Sequence, residues 1–120
     1  MGPAMTGELG EQLAAALVPV LGTVEVRSLR RLTGGASRET WSFDAVDADA
    51  LVHELILRRD PPARPGPRGA MTLEARVIRL AGAAGVPVPE VLVATDDTRV
   101  WGAAGLVVRD RGVRARPHDA

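Results

Sequence analysis

Thr33-Gly34-Gly35-Ala36-Ser37 is the segment of this 120-residue chain whose residue types point most directly to chemistry. Adjacent glycines let backbone amides approach an anion closely, phosphate oxygens above all, and Ser37 adds a hydroxyl donor. An ordinary hairpin turn uses the same residues. Two further charged groups stand at defined places: the pair Arg58-Arg59, and Glu74 just inside a periodic apolar stretch. Each also has a plain structural reading, as solvated cations at a strand end and as an acid favoured by the positive end of a helix dipole.

The residues that are missing narrow the chemistry. All 15 basic residues are Arg, so no lysine-dependent mechanism is open to this sequence. The absence of Cys removes disulfides, thiolate metal sites and cysteine nucleophiles, and two His, His53 and His118, are too few for a histidine-built metal site. Fifteen acidic residues balance the charge, so neither nucleic acid nor an anionic membrane is expected as a partner. Residues 1–11 carry Glu8 and Glu11 and no cation before a short apolar run, unlike a secretory signal or a membrane span, and the cytoplasm is the expected compartment.

These groups need elements to position them. Leu9, Leu13, Ala16, Leu17 and Val20 recur at helical spacing, with Thr6 as a cap and Pro19 and Gly22 as stops. Residues 24–32 alternate and run into the Gly34-Gly35 turn, and Trp41, Phe43 and Ala45 share one face of a second strand. Asp47-Ala48-Asp49 turns the chain into a third strand over residues 51–59, antiparallel to the second. Four prolines between Asp60 and Gly69 make a surface loop. Leu73, Val77, Leu80, Ala81 and Ala84 then form a stripe predicted to be the buried face of a helix from Thr72, stopped by Gly85 and Pro87. Two short strands follow, at 91–94 and 105–108, with His53 read as half-exposed and Trp41 as core rather than as a stacking platform. The fold class is α+β, a five-stranded antiparallel sheet with an N-terminal helix and one helix between strands 3 and 4.

Leu32-Thr33-Gly34-Gly35-Ala36-Ser37-Arg38-Glu39-Thr40-Trp41, Leu55-Ile56-Leu57-Arg58-Arg59, Leu73-Glu74-Ala75-Arg76 and Gly85-Val86-Pro87-Val88-Pro89 together resemble the N-terminal lobe of the aminoglycoside phosphotransferase-like family, whose fold is protein-kinase-like. The resemblance covers residues 25 to 108. It implies ATP as cofactor, held by Gly34, Gly35, Ala36 and Ser37 in the nucleotide loop, by Arg58 oriented by Glu74, and by backbone at Val107 and Val108 beside the adenine. Arg stands where kinases use Lys, and the loop lacks their three spaced glycines, so fewer phosphate contacts are expected. The family's catalytic aspartate, its asparagine and its magnesium-holding aspartate belong to a C-terminal lobe, so neither a catalytic residue nor a metal ligand is assigned here. Mg2+ and an unidentified small-molecule hydroxyl acceptor are expected with that lobe.

The expected division is an N-terminal helix over 1–23, a nucleotide-binding lobe over 24–108, and a disordered or out-of-frame tail over 109–120, with Pro117-His118-Asp119 a chance likeness to a catalytic loop. A truncated, inactive phosphotransferase fragment follows, which would self-associate through its exposed inter-lobe face. The competing expectation is a freestanding, non-catalytic interaction module of the same fold.

Overall fold

Leu9, Leu13 and Leu17 lie on one stripe of helix α1 (Gly2–Leu21), and all three are buried. The structure is a computed structural model and describes residues 2–32, 38–61, 66–110 and 113–118, the side chains of 2–6 excepted. The helix is longer than expected at both ends. It begins four residues before Thr6, which is therefore no cap, and it continues through Pro19. A proline in the last turn removes one amide bond without a following turn to disrupt, and Gly22, at φ 74°, stops the helix with its N–H on the Val18 carbonyl.

Strands β1 (Val24–Leu32), β2 (Glu39–Asp47), β3 (Leu51–Arg59), β4 (Glu90–Thr95) and β5 (Gly105–Arg109) form an antiparallel sheet in the order β1-β2-β3-β5-β4. A sixth strand, β6 (Arg116–Pro117), pairs with Leu51 and Val52 of β3, beyond the reach of β5. The expected five-stranded sheet is therefore corrected to six, because part of the supposed tail returns to β3. Gly105 is required where β5 meets β3: a Cβ there would lie 2.7 Å from the Arg58 carbonyl oxygen and 2.8 Å from the Arg59 Cβ.

Alternation assigns the two faces of the sheet. Trp41, Phe43, Ala45, Leu55, Leu57 and Val107 face α1. Ile56, Leu106 and Val108 face the opposite side, with helix α2 (Ala70–Ala83). In β1 a bulge between Arg27 and Arg30, with Ser28 at φ 56°, shifts the alternation, so Val24 and Val26 before it and Leu29 after it all reach the α1 side. Trp101 ends an unanticipated short helix, α3 (Thr98–Trp101), and is fully buried in that same core.

The predicted face of α2 is overturned. Met71 and Ala75 are the buried residues, with Ile78 packed beside them, whereas Leu73, Val77 and Leu80 are 60%, 57% and 65% exposed. Asp96 fixes this rotation by accepting from the Met71 and Thr72 amides at 3.1 and 3.2 Å and from the Thr72 hydroxyl at 2.6 Å, a cap supplied from the end of β4. Burial opposes the Asp96 charge, but these bonds outweigh it and hold the carboxyl below its usual range. Among the described residues no helix is long and apolar enough to cross a membrane.

Candidate functional site

Among the described residues no helix covers one half of the sheet face that carries α2. That helix packs on β4 and β5, while α1 lies on the other side across β1, α3 and β4. The bare half, over β1 to β3, holds an open groove of about 490 Å³ whose lining includes Ser28, Arg30, Ser42, Ile56, Asp110 and Val113. A larger groove, about 640 Å³, lies between the end of α2, β4 and residues 113–115. The smaller one is the candidate, because Arg58 falls on the same face of β3 as its lining residue Ile56.

Ser42 pairs with Ile56 in the ladder, and two residues along, Thr40 pairs with Arg58. This second pair lies one step beyond the groove's lining, which extends along β2 and β3 from Ser42 and Ile56 to Asp44 and Glu54 and includes Asp110 and Val113. Gly34, Gly35, Ala36 and Ser37 lie outside the described residues. Arg58 falls on the groove side of β3, the side where α2 carries Glu74. The expected Arg58–Glu74 ion pair is not made. Arg38 holds Glu74 instead, with its two terminal nitrogens 3.0 and 2.7 Å from the two carboxylate oxygens and its Nε 3.8 Å from Asp60. This fork holds the Glu74 carboxyl below its usual range, helped by the nearby charge of Arg58, and raises the Arg38 pKa in turn. Among the described residues Arg58 makes no ion pair and no side-chain hydrogen bond.

Arg59 points the other way, into the α1 side. Its Nε donates to Glu39 at 2.9 Å, its NH1 donates to the Trp101 carbonyl, and its guanidinium lies 5.9 Å from the Trp41 ring centroid. Burial disfavours the Glu39 charge, yet donation from Trp41 and Arg59 outweighs it and lowers that carboxyl too.

Val107 and Val108 are core residues of an inner strand, 0% and 1% exposed, paired on one side with Leu57 and Ile56 and on the other with Val93 and Val91. Both residues thus have strands on either side, whereas Arg109 pairs with Glu90 of β4 but not with β3. His53 is buried rather than half-exposed. Its Nδ1 accepts from Arg109 at 2.7 Å, which leaves Nε2 to donate to Asp47 at 2.8 Å, and the start of β3 is thereby tied to the end of β5.

Sequence reasoning missed Arg38. An acid on the helix calls for a cation, and strand alternation separates Arg58 from Arg59, but nothing in the spacing singles out a cation just past the glycine segment. The phosphotransferase enzyme family model matches residues 28–119, from the β1 bulge through β6, a span that takes in most of the segment expected to be a tail. No curated protein and no solved structure matches the chain.

Proposed function

Because the chain belongs to the phosphotransferase enzyme family, we propose that it binds ATP in the groove on the bare half of its sheet, as the nucleotide-holding N-lobe of a kinase-like enzyme that phosphorylates a small-molecule hydroxyl in the cytoplasm. The observation that carries this reading is Arg58: a cation without a protein partner among the described residues, on the groove side of β3, beside the exit of a glycine segment. The strand order and the single helix between the third and fourth strands support the same reading.

The groove fits the group. Its volume lies within the usual range for small-molecule sites. Ile56 and Val113 offer apolar surface to a base and Ser42 offers a hydroxyl, while Asp44, Glu54 and Asp110 also line the groove, so the phosphates would lie beyond that lining, toward Arg58, which stands two residues from Ile56 on the same face of β3. Mg2+, which in phosphoryl transfer neutralises the charge of the β- and γ-phosphates, has no such fit: among the described residues no three His, Asp or Glu side chains come together to hold a metal. The residues here bind and orient the nucleotide, and the base that activates the acceptor comes from elsewhere in the working enzyme.

Melting the full chain against increasing ATP tests this. Saturation at a hundredfold over the dissociation constant would add about 2.7 kcal/mol of stability. An unchanged melting temperature at millimolar ATP, for the wild type and for Arg58→Gln alike, would sink the reading. The exposed Leu73, Val77 and Leu80 favour a second reading, a non-catalytic docking module, which requires capture of a partner and no response to nucleotide.

A further inference from the structure

We infer that the C-terminal return of the chain, residues 113–118, is fastened to the sheet by contacts that require two neutral imidazoles, so that mild acid releases it. Nothing in this depends on nucleotide binding.

The chain has two histidines, and each accepts a hydrogen bond from an arginine. His53 Nδ1 takes one from Arg109, at the end of β5, over 2.7 Å, and His118 Nε2 takes one from Arg27 of β1 over 2.9 Å. A guanidinium has donors and no acceptor, so the ring nitrogen facing it must carry a lone pair. Protonation puts a hydrogen on that atom and sets a second cation against the first. The two contacts stand at either end of the return: Arg109 precedes residues 113–118, and His118 closes them.

Among the described residues little else holds this segment. Strand β6 has two residues, and one of them, Pro117, has no amide to donate. The His118 amide donates to the Ala50 carbonyl at 2.8 Å. Arg116 reaches Glu54 at 3.3 Å and Asp44 at 4.0 Å, but these pairs lie open to water and contribute little.

Each arginine has a carboxylate to turn to. Arg109 NH1 lies 3.6 Å from Glu90, a distance that can shorten once His53 lets go, and Arg27 is already held by Glu25 at 2.8 and 2.9 Å. Charged His53 keeps Asp47, whose carboxylate sits 2.8 Å from Nε2. That bond, then the Leu51 amide, holds the Asp47 carboxyl below its usual range, so it stays ionised where imidazoles titrate. The charged groups about His53 are thus Asp47 of β2, Arg109 of β5 and Glu90 of β4, with Asp44, Glu54 and Arg116 alongside. Those about His118 are Arg27 and Glu25 of β1, with Asp47 and Asp49 in the turn before Ala50. Among these side-chain types imidazole is the one that ordinarily changes charge between about pH 5 and 8. Val113 lies in the lining of both grooves, so release of the return alters both.

Nuclear magnetic resonance of the full chain between about pH 8 and pH 5 tests this, with the two imidazoles followed through their ring C–H signals. As both titrate, the backbone order parameters of Arg116 and His118 should fall from about 0.85 to below about 0.6, while those of β2 and β3 stay high. The ratio of attached to free return should drop by up to about tenfold per pH unit for each proton taken up. Glutamine keeps an acceptor and a donor but does not titrate. His53→Gln and His118→Gln should each remove part of the response, and the double variant H53Q/H118Q should keep the return in place at the acid end. Should His53→Gln fold poorly, Arg27→Gln, at an exposed position, takes the cation away from His118 and should also blunt the response. The inference is overturned if Arg116 and His118 stay ordered after both imidazoles have titrated, or if either imidazole remains neutral at the acid end. It is equally overturned by an unaltered response in Arg27→Gln, or by a double variant that loses the return at the same pH as the wild type.

Discussion

Arg58 and Arg59 are neighbours in β3, yet the pleat sends them to opposite faces of the sheet and into opposite circumstances. Arg59 enters a closed face, where Glu39, the Trp101 carbonyl and the Trp41 ring meet its guanidinium. Arg58 stands on a half-open face, near Glu74 but without a bond to it. One face spends its charge on folding, and the other keeps charge available. A binding site of this kind needs both conditions, since a rigid floor must support a cation that the protein has not already neutralised.

The largest expected effect breaks the closed face. Trp101→Ala removes the largest fully buried side chain of the α1 side and should destabilise the chain by about 3–5 kcal/mol. Its buried Nε1 has no partner among the described residues, so Trp101→Phe, which removes that N–H and keeps much of the volume, should be far milder. Equal losses in denaturant titrations of the two variants would show that packing volume is not what Trp101 contributes.

Next comes the arginine pair itself. Arg59→Ala leaves the part-buried Glu39 without its cation, at a cost of about 1–3 kcal/mol, whereas Arg58→Ala should stay within about 0.5 kcal/mol. The contrast fails if both variants unfold at the same denaturant concentration. A reversed order would mean that Arg58 carries the structural load.

Acid sharpens the comparison further, because each face holds one glutamate with a lowered pKa. The folded forms of Glu39 and Glu74 bind protons less readily than ordinary glutamates, whose value is 4.5. Their stabilisation is therefore complete above the ordinary range and is lost as pH falls below 4.5 through the lowered folded values. Glu39→Gln and Glu74→Gln should each flatten the fall of the denaturation midpoint with acid. Glu39→Gln should flatten it more, because the Arg59–Glu39 pair is 12% and 11% exposed against 30% and 29% for Arg38–Glu74. An unchanged slope in both would assign acid sensitivity to other carboxylates, Asp97 first, which Arg99 holds at about 2.

Strand content was legible because alternation needs only nearest neighbours in the chain. Bounds at Val24, Leu32, Leu51 and Arg59 follow directly from it. What escaped depends on contacts distant in sequence: the Asp96 cap on α2, the return of Arg116 and Pro117 to β3, and the capture of Glu74 by Arg38. The β1 bulge escaped for a local reason, since Ser28 at positive φ carries no glycine or asparagine to announce it. At the candidate site the residue types were legible and Arg58 falls on the groove side, but Glu74 is held by Arg38 rather than by Arg58.

The smallest expected effect tests the most misleading of these readings. Leu73, Val77 and Leu80 have the spacing of a core stripe, yet the Asp96 cap and the fit of Met71, Ala75 and Ile78 against β4 and β5 turn the helix so that the leucines face water. Small residues such as Ala75 allow close approach to a flat sheet, and this can outweigh the greater area that leucines would bury. Leu73→Ser and Leu80→Ser should each change stability by no more than about 0.5 kcal/mol, against about 2–5 kcal/mol for Met71→Ala. Size-exclusion elution of the same variants reads the second quantity at stake. If the stripe mediates self-association, the serine variants shift toward monomer at unchanged stability. If stability falls with them as it does for Met71→Ala, the helix is turned the other way, and Glu74 would leave Arg38.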